Sequence, residues 1–147
     1  MSAHAHEWLC REIVDKATDA IILADRDGVI RLWNAGAEAM FGYRAEAAVG
    51  QTLDLIIPEQ LRSRHWAGYH KAMATGTTRY ARQVLAVPAT RKDGASISVE
   101  FTIALLDEPT GTLLGPAAIV RDVTARWEQE RALKKRLAAL EAKTPGD

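Results

Sequence analysis

The sequence predicts an α+β domain, and three observations carry that prediction. Two apolar β-type runs, residues 20–25 and 29–34, flank the turn Arg26-Asp27-Gly28, a strong hairpin signal. A middle stretch of helical period follows and closes with PEQLRSRHWAGYHKAMATG, residues 58–76. After Gly76 the period changes from helix to strand. Ile97, Val99, Phe101, Ile103 and Leu105 alternate strictly with Ser96, Ser98, Glu100, Thr102 and Ala104, so one face of that strand is buried and the other wet.

Composition sets the outer limits. At 147 residues the chain is long enough for one domain with a short extension, and too short for several. Nineteen basic residues balance nineteen acidic ones, and no block of like charge forms a patch for nucleic acid. The single cysteine, Cys10, excludes an internal disulfide framework and multi-cysteine metal sites, and fits a reducing cytoplasm. No run approaches the ~18 apolar residues of a membrane span, and the start lacks the basic and apolar regions of an export signal. The chain is therefore expected to be cytoplasmic, with no nucleic-acid or membrane partner.

The elements follow in order. Residues 6–16 suit an amphipathic helix, Leu9 pairing with Ile13 and Cys10 with Val14, that packs on the sheet or on another subunit. The hairpin opens the sheet. Asn34 is a good N-cap for a helix over 35–41 closed by Gly42, and 44–48 gives a further helical turn before Gly50. An apolar run at 53–57 leads into a helix over about 59–75, with Pro58 suited to its first turn and Gly76 to the position past its end. A strand over 83–88, the turn Arg91-Lys92-Asp93-Gly94, the alternating strand, a loop over 107–111 and a strand over 114–121 complete the sheet. From Thr124 the pattern is helical again, with Leu133, Leu137 and Leu140 at coiled-coil spacing and a frayed tail KTPGD. The division is thus 1–16 N-terminal helix, 17–123 domain, and 124–147 C-terminal helix and tail.

Two histidines lie on the central helix. His65 shares the stripe of Leu61, Tyr69 and Ala72 and is expected to point inward. His70 lies about 140° further round, at 3.6 residues per turn, with Arg62, Trp66 and Met73, and is expected in solvent. An inward His65 is either a core histidine satisfied by a neighbouring carbonyl or a neutral imidazole offered to a metal centre, most naturally haem iron. Trp33 and Trp66 are expected to be buried rather than to bind a ligand.

From about Ile13 to Thr124 the chain resembles a PAS sensor domain. The resemblance is carried by the hairpin, the Asn34 cap, Phe41-Gly42-Tyr43, Val49-Gly50, Arg91-Lys92-Asp93-Gly94, the alternating strand and Arg121-Asp122-Val123-Thr124. It implies a five-stranded antiparallel sheet flanked by short helices, a pocket between the sheet and the histidine helix, and helical extensions at both ends. Residues 58–76 with the turn at 91–94 are similar to the haem-binding PAS domain of the FixL oxygen sensors. That similarity makes His65 the iron ligand of haem b. It places Lys71 and Arg79 by the propionates, and Phe101 and Ile103 on the distal side. Where those sensors carry an arginine that donates to bound oxygen, this chain has Leu85, and Tyr80 or Arg82 is the candidate substitute.

The functional expectation is a sensor that relays a diatomic gas (O2, CO or NO) or a redox state through the C-terminal helix to an unidentified signalling partner, as a homodimer. The alternative is a non-haem PAS module that works by small-ligand binding or by dimerisation. No nucleophile triad, paired carboxylate or phosphate loop stands out, so an enzyme is not expected, and Cys10 lies in the wrong segment for a flavin photoreceptor.

Overall fold

The computed structural model describes residues 2–78 and 85–143. Helix α1 (Ala3–Lys16) starts at Ser2, whose hydroxyl accepts from the Ala5 N–H at 3.1 Å, so the cap lies upstream of the residue expected to open it. Strands β1 (Ala20–Ala24) and β2 (Ile30–Trp33) form the hairpin. Helices α2 (Ala35–Phe41) and α3 (Ala45–Ala48) follow. Two short 3-10 turns, Leu53–Leu55 and Glu59–Leu61, lead into helix α4 (Arg62–Thr75). Strands β3 (Leu85–Thr90), β4 (Ser96–Asp107) and β5 (Leu113–Asp122) and helix α5 (Thr124–Lys143) complete the described chain.

All the pairings are antiparallel and the strand order is β2-β1-β5-β4-β3, so the chain's last strand lies at the centre of the sheet beside its first. The expected five-stranded antiparallel sheet flanked by helices is present. β4 runs beyond the alternating stretch to Asp107, because β5 pairs with it from Asp122 back to Leu113. Of the strand expected over 83–88, Gln83 and Val84 lie outside the described residues, as does the tail after Lys143.

The core sits between the sheet and the helices that follow the hairpin. Ala20, Ile22, Ile30, Trp33, Ala37, Phe41, Ile97, Val99 and Val120 are buried together. Phe41 is fully buried, a burial that contributes about 3 kcal/mol. The Trp33 indole packs against the Phe41 ring, centroids 5.5 Å apart, and donates to the Tyr43 carbonyl at 3.0 Å. Asn34 ties the layers together. Its Oδ1 accepts from the Ile21 and Ala37 amides at 2.8 and 2.9 Å, and its Nδ2 donates to the Val14 and Asp19 carbonyls at 2.8 and 3.1 Å. One buried side chain thus caps α2, holds β1 and fixes the end of α1.

The strand-to-helix junction is stitched to β4. The Ser98 amide donates to Thr124 Oγ1 at 2.9 Å, the Thr124 amide to Asp122 Oδ1 at 2.9 Å, and Arg126 pairs with Glu100. Beyond that first turn α5 leaves the sheet, and Leu133, Leu137 and Leu140 are exposed. Among the described residues no helix is long and apolar enough to cross a membrane.

Candidate functional site

The helix expected over 59–75 is two pieces. Pro58 caps a 3-10 turn, closed by the Leu61 amide donating to the Pro58 carbonyl at 2.9 Å, and the α-helix starts only at Arg62. Arg62 satisfies half-buried carbonyls upstream, its Nε donating to Ile57 O and its Nη2 to Asp54 O, both at 3.1 Å. The far end is as the sequence predicts. Gly76 takes φ 69° and its amide donates to Ala72 O at 2.9 Å.

The inward face of α4 is turned relative to the expected stripe. Tyr69 and Met73 are buried and His65, Trp66 and Ala72 half-buried, so Met73 and Trp66 belong to the packed face and not with exposed His70. The reason lies in what α4 packs against. The Tyr69 hydroxyl donates to the Asp25 carbonyl in the β1–β2 turn. The Trp66 indole covers Gly28 of the same turn and donates from Nε1 to Asp54 Oδ1 at 2.7 Å. Gly28 has φ 80°, and a Cβ there would lie 2.1 Å from the Trp66 ring. Only glycine serves both needs. Burial, followed by the charges of Asp25 and Asp27, pushes the Tyr69 hydroxyl well above its ordinary range, so it remains a donor.

His65 stands beside this cluster, its ring 4.8 Å from the Trp66 ring and 5.7 Å from that of Tyr69. Its Nδ1 is buried without a hydrogen-bond partner among the described residues. A buried polar atom left so costs about 1–3 kcal/mol, which a ligand or donor meeting it recovers. Burial holds the imidazole below the usual histidine range, with the Asp54 charge opposing only in part. The ring is therefore neutral at pH 7 and keeps a lone pair, the form in which histidine binds a metal.

The other predicted site residues are scattered. Lys71 is exposed on α4. Phe101 and Ile103 are half-buried on the β4 face that also carries Ile97 and Val99, with Phe101 packed against the core. Among the described residues the ring contacts of His65 are with Trp66 and Tyr69, and Phe101 is not one of them. Arg79, Tyr80 and Arg82 lie outside the described residues. Leu85 pairs with Phe101 across β3 and β4, which puts its backbone opposite the expected distal wall. No cluster of three or more acidic, cysteine or histidine side chains able to hold a metal ion occurs among the described residues.

Sequence reasoning missed Asp54 and Gly28. Asp54 sits in an apolar run, and Gly28 reads as an ordinary turn glycine. The signal for both is the indole of Trp66, which when half-buried needs an acceptor and a flat surface.

Known proteins bear on this arrangement. A family described as the PAS fold matches residues 14–128. An uncharacterised protein of Azorhizobium caulinodans is 35% identical over 126 residues, covering 85% of this chain and 17% of its own. Sensor protein FixL of Bradyrhizobium diazoefficiens is 28% identical over 128 residues, covering 85% of this chain and 24% of its own. The chain thus spans less than a quarter of either relative. The crystal structure of the PAS domain of a Colwellia psychrerythraea protein superposes with a TM-score of 0.71 at 22% identity, covering 82% of this chain and 98% of that one.

Proposed function

The chain belongs to the PAS fold family, a family of sensory domains in signal-transduction proteins, and from that premise we propose that it is a sensor whose ligand-binding group is His65. The observation that supports this most is the imidazole itself: half-buried, with its Nδ1 unmet among the described residues, and held by burial below the usual histidine range. Haem b is the proposed cofactor, in line with the resemblance of residues 58–76 to the haem-binding FixL sensors. The residues match it in donor type: His65 would bind the iron, Lys71 would supply a cation for a propionate, and Phe101 and Ile103 would supply apolar side chains. Bound there, haem would supply an iron able to bind a diatomic gas. The chain's own part is to hold the imidazole neutral and to offer an apolar sheet face. Leu85 in place of a donor makes Tyr80 and Arg82 the groups to test for a hydrogen bond to the gas.

Relay is proposed to run from the sheet through the Ser98–Thr124 and Glu100–Arg126 ties into α5. The exposed apolar residues Trp8 and Ile13 on α1 and Leu133, Leu137 and Leu140 on α5 suit a homodimer. Truncation after Asp122 should lower the mass measured by light scattering, and an unchanged mass would remove the α5 pairing. The output partner is proposed to lie in another domain or protein.

A second reading is supported by a specific observation. Trp66, Tyr69 and Met73 pack α4 with the chain's own side chains, as expected of a non-haem PAS module that works by a small ligand or by dimerisation. An absorption spectrum from about 300 to 700 nm, before and after addition of haemin and then reduced with carbon monoxide, separates the two. A Soret band that shifts with carbon monoxide, is lost in His65→Ala and is kept in His70→Ala supports the haem sensor. A spectrum unchanged by haemin supports the second reading.

A further inference from the structure

Asp54 meets α4 through both its side chain and its backbone. Its Oδ1 accepts from Trp66 Nε1 at 2.7 Å and lies 3.8 Å from Arg62 Nε, and its carbonyl accepts from Arg62 Nη2 at 3.1 Å. Asp54 is itself fixed on two sides. The Leu53 amide donates to Gly28 O at 3.0 Å, and the Thr90 amide of β3 donates to Ile56 O at 2.9 Å. The bond to Trp66 therefore refers α4 to both the hairpin and the sheet. Trp66 is the next residue after His65, and the two rings pack edge to face at 76°. Fixing the indole fixes the rotation of α4 about its axis, and that rotation decides where the imidazole points.

We propose that Asp54 is the positioning residue for His65, acting through the indole of Trp66 to hold the imidazole half-buried with its Nδ1 out of solvent. The ligand in this inference rests on the haem reading, whereas the positioning concerns only residues of this chain. It explains why a carboxylate occurs in an otherwise apolar run, Leu53-Asp54-Leu55-Ile56-Ile57. A hydrophobic residue there would leave the indole N–H without its acceptor and Arg62 without its counter-charge.

The test compares Asp54→Ala, Asp54→Asn and wild type, with two readouts. The first is haemin affinity by absorption. The second is the rate at which diethylpyrocarbonate modifies His65, located by peptide mass spectrometry with exposed His70 as internal reference. Asp54→Ala should weaken haemin binding by at least about tenfold, the scale on which groups supporting a metal ligand act. It should also speed modification of His65 relative to His70. Asp54→Asn keeps an acceptor oxygen and should restore both toward wild type. If wild type takes up no haemin the haem reading fails, and the modification rates alone then decide: faster modification in Asp54→Ala upholds the positioning, equal rates overturn it. If haemin does bind, unchanged affinity and unchanged modification in Asp54→Ala overturn it too. Should circular dichroism show Asp54→Ala unfolded, Trp66→Phe, which removes the indole donor and keeps a ring, is read by the same criteria.

Discussion

Asn34 and His65 are polar side chains set against the packed interior, and they are treated in opposite ways. Asn34 is buried at the junction of α1, β1 and α2, where Oδ1 accepts two hydrogen bonds and Nδ2 donates to the Val14 and Asp19 carbonyls. His65 is half-buried on α4, flanked by aromatic rings, with Nδ1 unmet among the described residues. A polar group that serves the fold is fully satisfied, because leaving it otherwise costs stability. One left unmet carries a cost that the fold does not recover, and ligand binding is the role proposed for it. The first region builds the domain, and the second leaves one buried nitrogen without a partner among the described residues.

The sharpest way to break this contrast is to remove each group in turn. Asn34→Ala strips partners from two amides and two carbonyls and uncaps α2, and should cost about 3 kcal/mol in urea unfolding. His65→Leu removes a nitrogen unmet among the described residues and should not lower stability by more than about 1 kcal/mol. Equal losses in the two variants would show His65 to be structural. Gly28→Ala comes next. A Cβ at positive φ, driven into the Trp66 ring, should cost about 2 kcal/mol and shift tryptophan fluorescence as α4 moves. Trp66→Phe should cost about 1 kcal/mol by losing the bond to Asp54.

The smallest effect is in pH. The folded state depresses the His65 pKa, so the unfolded chain binds the proton more readily. The stability His65 contributes is therefore full above its unfolded value of about 6.5 and is lost as pH falls through the folded value. Asp25 adds a similar loss at lower pH. Burial raises its carboxyl, but the Val29 amide, the Arg31 side chain and the Asp27 amide more than reverse this, so it lies below its ordinary value. Urea midpoints measured between about pH 8 and 5.5 should fall in wild type and fall less in His65→Leu, a window set by the histidine reference value.

Local signals were legible. The hairpin, the Asn34 cap, the Gly76 helix end and the alternation of β4 each depend on a few adjacent residues, and each stands where the sequence places it. What the sequence did not show depends on partners far along the chain. The face of α4 is set by the turn at Asp25 and Gly28, some forty positions away in sequence, so a stripe drawn from apolar residues alone put Met73 on the wrong side. Asp54 was hidden for the same reason: its importance comes from Trp66. The start of α4 was misjudged because Pro58 suits a 3-10 turn as well as an α-helix.

The most direct test of whether His65 is a ligand rather than a structural residue is rescue by free imidazole. Haemin is added to His65→Gly, and the spectrum is recorded with and without millimolar imidazole. A Soret band absent from the variant alone and restored by imidazole to the form seen in wild type is the result predicted here. A band in the variant that needs no imidazole, or none in wild type under the same conditions, would contradict it.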